Sequence, residues 1–164
     1  MSKVVLKLGD DVSTDIIYPG RFMATVLPAE TPQYAFADLV DFNARVKKNE
    51  IQPQSVIVAG RNFGCGSSRE QAASCLKGPD FIVIARDFAR IFLQNSINLG
   101  LNIIICPGIE ADEGDELKIS ATQVVNQTTG KNFALVPLPQ ARQAIIEAGG
   151  LIPYTRQRLL QTKK

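Results

Sequence analysis

The stretch from Ser55 to Leu76, SVIVAGRNFGCGSSREQAASCL, decides the fold class of this chain. Its first five residues form a continuous apolar run, which is typical of a short strand covered on both faces of a sheet. Three glycines follow, at positions 60, 64 and 66, and a helix is predicted over Ser67–Leu76. A strand, a glycine-rich loop and a helix in this order predict an α/β fold.

Two more apolar runs repeat this pattern further along the chain. Phe81–Ala85 (FIVIA) and Leu101–Ile105 (LNIII) are predicted strands. Between them a helix is predicted over Asp87–Leu99, with Asp87 as its N-cap and Gly100 as its end. Because near-continuous β-branched runs suit a sheet that is covered on both sides, we predict a mostly parallel, buried sheet.

The remaining segments complete one compact α/β domain spanning residues 1–164. They are predicted strands over Val4–Leu8, Glu116–Ser120 and Phe133–Val136, helices over Ala35–Val46 and Pro139–Glu147, a turn at Thr128–Lys131 and a polar tail over Tyr154–Lys164. No internal repeat and no low-complexity linker divides the chain, so no second domain is expected.

The composition excludes several classes of function. The net charge is only +2, and no basic run with interleaved aromatic residues occurs, so neither nucleic acid nor a membrane is an expected partner. The apolar runs are too short to cross a bilayer and no signal-peptide pattern precedes the first strand, which predicts a cytoplasmic protein. There is no histidine, which excludes Ser-His-Asp and Cys-His hydrolysis and histidine metal sites within this chain.

The three cysteines do not form a metal-binding pattern. Cys65, Cys75 and Cys106 contain no CxxC pair, so no metal ion or iron–sulfur cluster is expected on this chain alone. Cys75 and Cys106 are predicted to be small buried residues in a reducing compartment. Cys65 lies before a helix, where a thiol can be reactive, and the alternative is that it only lines the loop.

The glycine-rich loop allows two interpretations. Ser67 and Glu70 fit the S-x-x-E capping box, in which Ser67 would only cap the helix. Alternatively, the loop binds an anion, because a helix N-terminus presents free N–H groups and glycines let the backbone approach a ligand. Arg69 would add a planar, bidentate cation for a carboxylate or a phosphate.

A di- or tricarboxylate is the best ligand by elimination. The loop lacks the third glycine of a dinucleotide site and the Gly-Lys-Ser/Thr of a P-loop, and Cys65 and Arg69 are too close in sequence for a cysteine phosphatase. A helix dipole of up to about 2 kcal/mol lowers a pKa by only about 1.5 units, far too little to make Ser67 a base. The sequence therefore predicts a half-site that needs groups from elsewhere.

The run GRNFGCGSSRE, Gly60–Glu70, resembles the signature of the small subunits of isopropylmalate isomerase and its relatives, the swivel domain of the aconitase superfamily. Three further segments agree and follow the family's order: Ser13–Ile17 with Pro19–Arg21, Ala89–Asn95 through Asn98–Leu101, and Gly149–Leu151 before Tyr154–Arg156. They cover nearly the whole length. The resemblance implies a single swivel-type β/β/α domain.

The resemblance also implies a reaction. Relatives dehydrate a hydroxy di- or tricarboxylate and rehydrate the alkene with the hydroxyl on the neighbouring carbon. A [4Fe-4S] cluster on a large partner subunit acts as the Lewis acid, and this chain itself carries no cofactor or metal. Ser67 is implied as the base, Ser68 and Arg69 as ligands of a substrate carboxylate, and Asp15 as a further residue of the same site.

One segment differs from part of the family and bears on the substrate. In relatives a four-residue specificity segment follows Pro-Gly-Arg/Lys, and homoaconitase-type members have an arginine at its third position. Here the segment is Phe22-Met23-Ala24-Thr25. Ala24 offers no charge, and Phe22 and Met23 are apolar, so an uncharged side group on the malate is favoured.

Several functions remain as alternatives at this point. The first is the small subunit of a 3-isopropylmalate dehydratase, and close rivals act on 2,3-dimethylmalate, another methylmalate or homoaconitate. A rival of a different class is a carboxylate- or phosphate-binding module without chemistry. The expected partners are a large cluster-bearing subunit and a small dicarboxylate, and a homo-oligomer of the isolated chain is also open.

Overall fold

The computed structural model describes residues 1–162 and contains one seven-stranded sheet. The strands are β1 (Ser2–Lys7), β2 (Val56–Ala59), β3 (Ile82–Ala85), β4 (Asn102–Ile105), β5 (Glu116–Ile119), β6 (Gln123–Asn126) and β7 (Asn132–Ala134). The helices are α1 (Thr14–Ile17), α2 (Val40–Lys47), α3 (Glu70–Lys77), α4 (Arg90–Leu99), α5 (Gln140–Glu147) and α6 (Leu151–Thr162), with 3₁₀ turns at Gly20–Phe22 and Thr31–Tyr34. No helix of these residues is both long and apolar enough to span a membrane.

The α/β class is confirmed, but the sheet is mixed. Its strand order is β4-β3-β2-β1-β5-β6-β7. The pairs within β4-β3-β2-β1 are parallel, and the pairs within β1-β5-β6-β7 are antiparallel. The prediction of a mostly parallel sheet therefore holds for one half only. Strand β6 was not predicted, because its four residues include only two apolar ones, Val124 and Val125.

The parallel strands are buried on both faces, as their apolar runs predict. In β2, Val56 and Val58 belong to a core on one face, and Ile57 and Ala59 belong to a larger core on the other face. The larger core is covered by the helices. The smaller one lies inside the curled sheet, where the fully buried Leu117 of β5 completes it.

The sheet curls far enough for its two edges to meet. Val136, just after β7, donates from its backbone N–H to the carbonyl oxygen of Ile105 in β4 at 2.9 Å. This single antiparallel bridge connects the first and last strands of the sheet order. The interior core is therefore enclosed by strands rather than by a second layer of helices.

Several helix boundaries differ from the predictions. Helix α2 begins at Val40 rather than at Ala35, because Phe36 adopts a positive φ of 48° and donates its N–H to Ile17 O at 2.8 Å. The predicted tail from Tyr154 is instead part of helix α6, apart from Lys163 and Lys164, which lie outside the described residues.

Helix α4 differs at its start and agrees at its end. It begins at Arg90, and Asp87 does not cap it; the Asp87 carboxylate accepts the N–H of Asn62 at 2.6 Å instead. The predicted end is confirmed, because Gly100 follows α4 in the left-handed conformation with a φ of 72°.

Gly64 lets the glycine-rich loop lie directly on α4. It has a φ of 83°, and a Cβ atom added there would be 2.2 Å from Cγ of Phe92. Both the backbone conformation and the lack of space therefore require glycine at this position. The loop between β2 and α3 is pressed against the core at this point.

We expect Gly64→Ala to lower the free energy of unfolding by about 2–5 kcal/mol, because it adds a clash with Phe92 to a strained φ. Gly9→Ala is the matched control, since a Cβ at Gly9 meets no atom within 4 Å, and its effect should stay within about 0.5 kcal/mol. Urea unfolding of the two variants measures the difference. Equal stabilities would show that the loop can move away from Phe92.

Candidate functional site

The loop after β2 lies beside the segment that precedes α1. Gly64 donates its N–H to Val12 O at 2.7 Å, and Thr14 donates to Cys65 O at 2.8 Å. These bonds pair Ser13 with Cys65 as a short parallel bridge. Two segments that are distant in sequence are thus held next to each other by their backbones.

This pairing brings Asp15 to Arg69. Nη1 of Arg69 lies 2.5 Å from Oδ1 of Asp15 and also donates to the carbonyl oxygen of Tyr18 at 3.2 Å. The same Asp15 oxygen accepts the N–H of Gly20 at 2.9 Å. The Arg69 side chain is only 15% exposed, whereas that of Asp15 is 66% exposed. The Asp15 carboxylate therefore contacts the Arg69 cation from the solvent side.

Arg69 keeps donor capacity that no group of residues 1–162 uses. Its Nε atom is buried without a hydrogen-bond partner, although a guanidinium has five N–H donors. Gly20 lies close to this group, since a Cβ there would lie 3.1 Å from Nη2 of Arg69 and 3.3 Å from Oδ1 of Asp15. The guanidinium is therefore immobilised but not saturated.

The electrostatics of Asp15 follow from these contacts. The hydrogen bond from Arg69, assisted by the N–H of Gly20, holds the pKa of the Asp15 carboxyl below its usual value. Both contacts stabilise the charged carboxylate. Asp15 is thus an anion across the physiological range and neutralises the half-buried Arg69.

The capping-box interpretation of Ser67 is wrong. Helix α3 begins at Glu70, its N-cap is Arg69 in an extended conformation (φ −74°, ψ 112°), and no side chain caps it. Ser67 therefore precedes the helix N-terminus in a bend. Among the described residues, its hydroxyl and that of Ser68 form no hydrogen bond, and both side chains are exposed.

The backbone N–H groups of this bend are also free. Those of Gly66, Ser67 and Ser68 donate to no group of residues 1–162. Gly66 adopts a left-handed φ of 96°. The amides and the two hydroxyls of the bend come directly before Arg69 in the chain. Free amides, hydroxyls and a held guanidinium are the groups that bind a carboxylate.

The Phe22–Thr25 segment lies close to the start of α3 but does not point all its side chains outward. The ring of Phe22 stacks on Tyr34 with centroids 4.2 Å apart, and the guanidinium carbon of Arg21 lies 4.6 Å from its centroid. Met23 and Ala24 are exposed. The carbonyl of Met23 accepts a weak hydrogen bond of 3.4 Å from Gln71 in the first turn of α3.

Two contributors to the site were not predicted from the sequence. Tyr18 and Gly20 were not among the candidate site residues, yet the Tyr18 carbonyl holds Arg69 and the Gly20 amide holds Asp15. The available signal was their position, after the family segment Ser13–Ile17 and before the specificity segment Phe22–Thr25. A Tyr-Pro-Gly turn predicts a change of direction, but it does not indicate which side chains the turn will contact.

Comparison with known proteins shows the family to which the chain belongs. Residues 12–105, more than half of the chain, match the family described as the aconitase C-terminal domain. A 3-isopropylmalate dehydratase small subunit from Methanosarcina mazei is 44% identical, over 92% of this chain and 93% of the relative. The chain belongs to the small-subunit family of 3-isopropylmalate dehydratases. This is a family of hydro-lyase subunits.

Two proteins from Methanocaldococcus jannaschii extend the comparison. An isopropylmalate/citramalate isomerase small subunit is 42% identical over 97% of this chain and 95% of the relative. A crystal structure of a 3-isopropylmalate dehydratase has a TM-score of 0.87 at 39% identity, covering 98% of this chain and 96% of that chain. The small-subunit fold is therefore shared over almost the whole length.

In this small-subunit chain the three free cysteines lie apart in different surroundings. Cys75 is fully buried in the helix-covered core, and Cys106 is fully buried inside the curled sheet. Their full burial confirms the prediction of small buried residues, and it raises the pKa of both thiols. Cys65 is half-buried. Within residues 1–162 no three Cys, Asp or Glu side chains are grouped to hold a metal ion.

We expect the Asp15 carboxyl to titrate at a higher pH in Arg69→Gln than in the unchanged chain. Because Arg69 depresses this pKa, the ion pair is present at neutral pH and is lost as the pH falls through the lowered value. Asp38, whose pKa is lowered chiefly by Arg21, is the internal control. Carboxyl NMR titration measures both, and an unmoved Asp15 would contradict the pairing.

Proposed function

We propose that this chain is the small subunit of a hydro-lyase that isomerises 3-isopropylmalate by dehydration and rehydration. The observation that carries this proposal is the Asp15–Arg69 pair beside exposed Ser67 and Ser68 with free amides. Its relatives are named as small subunits of this dehydratase. A simple carboxylate-binding module is less well supported, because the relatives of this chain are named as small subunits of a dehydratase.

Each residue of the half-site has a role in this proposal. Arg69, held by Asp15 and the Tyr18 carbonyl, binds a substrate carboxylate through its guanidinium. The Ser68 hydroxyl and the free amides of the bend donate hydrogen bonds to the same anion. Ser67 removes the proton next to that carboxylate, which the bound guanidinium makes more acidic by stabilising the developing charge.

Ser67 cannot act as a base in the isolated chain. Its side chain is exposed to water, and it lies before the start of α3, so the helix dipole affects it even less than the pattern predicted. The base must be activated when the site closes and water is excluded, since electrostatic effects become stronger in a low dielectric. We therefore propose that a large subunit covers this face.

The large subunit also supplies the Lewis acid in this proposal. A [4Fe-4S] cluster bound there would polarise the departing hydroxyl. The donors of the present chain do not suit such a cluster, because Cys75 and Cys106 are buried in separate cores and cannot converge with Cys65. We place the enzyme in the cytoplasm, since free thiols are typical of a reducing compartment.

The substrate proposal rests on the Phe22–Thr25 segment. Exposed Met23 and Ala24 offer an uncharged surface near the start of α3. The ring of Phe22 stacks on Tyr34 and so stabilises the segment. An isopropyl group suits such a surface better than a carboxylate. A methyl-substituted malate such as citramalate is the second candidate, because one relative at 42% identity is named an isopropylmalate/citramalate isomerase subunit.

We expect Ser67→Ala to reduce the turnover number about 100- to 10,000-fold, because it removes the base. The assay combines the chain with a cognate large subunit under anaerobic conditions and follows alkene absorbance. The urea midpoint should not change, since Ser67 caps no helix.

Ser68→Ala is the matched control for Ser67→Ala, because the two serines are equally exposed and equally free of hydrogen bonds among the described residues. It should raise KM more than it lowers kcat. Near-normal turnover of Ser67→Ala in the assembled enzyme would remove Ser67 as the base. No activity of the unchanged pair on either substituted malate would refute the proposed reaction.

We expect Ala24→Arg to lower kcat/KM for isopropylmalate by the equivalent of about 2–4 kcal/mol, because an unpaired charge would be desolvated beside the isopropyl group. It should improve a tricarboxylate homologue through a charge-assisted pair. Ala29→Arg is the matched control, since Ala29 is an exposed alanine of the same loop. Equal effects of the two substitutions would place Ala24 outside the pocket.

A further inference from the structure

Tyr18 connects the two parts of the candidate site from a fully buried position. It follows α1 directly, and its N–H donates to Thr14 O at 2.8 Å. None of its surface is exposed to solvent. The residue is therefore held firmly at both its backbone and its ring.

The backbone of Tyr18 contacts the anion-binding part. Its carbonyl accepts from Nη1 of Arg69 at 3.2 Å, and the same guanidinium nitrogen donates to Asp15. The direction of this carbonyl thus sets where Arg69 lies relative to α1.

The side chain of Tyr18 contacts the Phe22–Thr25 segment. Its hydroxyl oxygen lies 3.1 Å from the carbonyl oxygen of Phe22 and 3.3 Å from that of Thr25, so its one proton is shared between the first and last residues of the segment. Burial raises the pKa of this phenol, which keeps the donor protonated at neutral pH. Its ring also meets Tyr34 edge to face at 6.1 Å.

We infer that Tyr18 is a positioning residue that sets the distance between the carboxylate grip of Arg69 and the segment that faces the substrate's side group. The Tyr18 carbonyl holds Arg69, and the Tyr18 hydroxyl holds the Phe22–Thr25 segment. Arg69 and the segment therefore cannot shift independently. The selectivity consequence rests on the function proposed above, whereas the positioning itself does not. Tyr18 acts through the segment and touches no reacting atom.

Hydrogen exchange on the isolated full-length chain tests the positioning directly. In Tyr18→Phe, the segment amides of Met23 and Thr25, which donate to Gly20 O and Phe22 O, should exchange about five- to tenfold faster, as expected for the loss of one shared hydrogen bond. Amides of β2 and β3 should keep their protection, which shows that the chain is folded.

Tyr34→Phe is the matched control for this experiment. It also removes one phenol from the same aromatic cluster, but the Tyr34 hydroxyl has no hydrogen bond within residues 1–162, and its stacked ring is kept. Exchange at Met23 and Thr25 should be unchanged. If Tyr18→Phe exchanges no faster than Tyr34→Phe, the positioning role is overturned.

The assembled enzyme tests the consequence for selectivity. The ratio of kcat/KM between isopropylmalate and methyl-substituted malate should change at least about fivefold in Tyr18→Phe, mainly through KM, and should stay constant in Tyr34→Phe. An unchanged ratio together with faster exchange would overturn the link to selectivity. If the unchanged enzyme acts on neither malate, the proposed function fails, and the exchange result alone still decides the positioning role.

Discussion

Backbone pairing between the loop after β2 and the segment before α1 is the constraint on which the site depends. Thr14 N–H to Cys65 O and Gly64 N–H to Val12 O hold the two segments side by side. Gly64 can take part only because it has no side chain where it meets Phe92. The core packing of α4, the conformation of one glycine and the meeting of Asp15 with Arg69 are therefore parts of a single arrangement.

This arrangement also balances the charge of a mostly buried arginine side chain. An arginine side chain that is only 15% exposed requires a counter-charge, and Asp15 supplies it from the chain itself. The pair leaves Nε of Arg69 without a partner, so the cation is neutralised without losing all its donors. The site can thus be held ready while its serine hydroxyls remain in water.

An element could be predicted from the sequence when the residues that determine it lie close together in the chain. The core strands β2, β3 and β4 were predicted to within one residue because their apolar runs are covered on both faces. Helix starts were less predictable: Asp87 resembles an N-cap but bonds to a distant loop amide. Asp15 and Arg69 are 54 positions apart, and only a family resemblance suggested their meeting. The hydrogen bonds of the Tyr18 hydroxyl to the carbonyls of Phe22 and Thr25 depend on tertiary packing, and no sequence pattern predicts them.

The bridge between Ile105 and Val136 has a consequence for the edges of the sheet. An open sheet presents rows of unpaired N–H and C=O groups along its outer strands, and other chains can add to such a row. The bridge between β4 and the residues after β7 pairs some of these groups, so the row of unpaired groups is shorter there. Strand addition uses backbone groups alone and therefore accepts almost any sequence, so the bridge reduces unselective association with other chains at this edge.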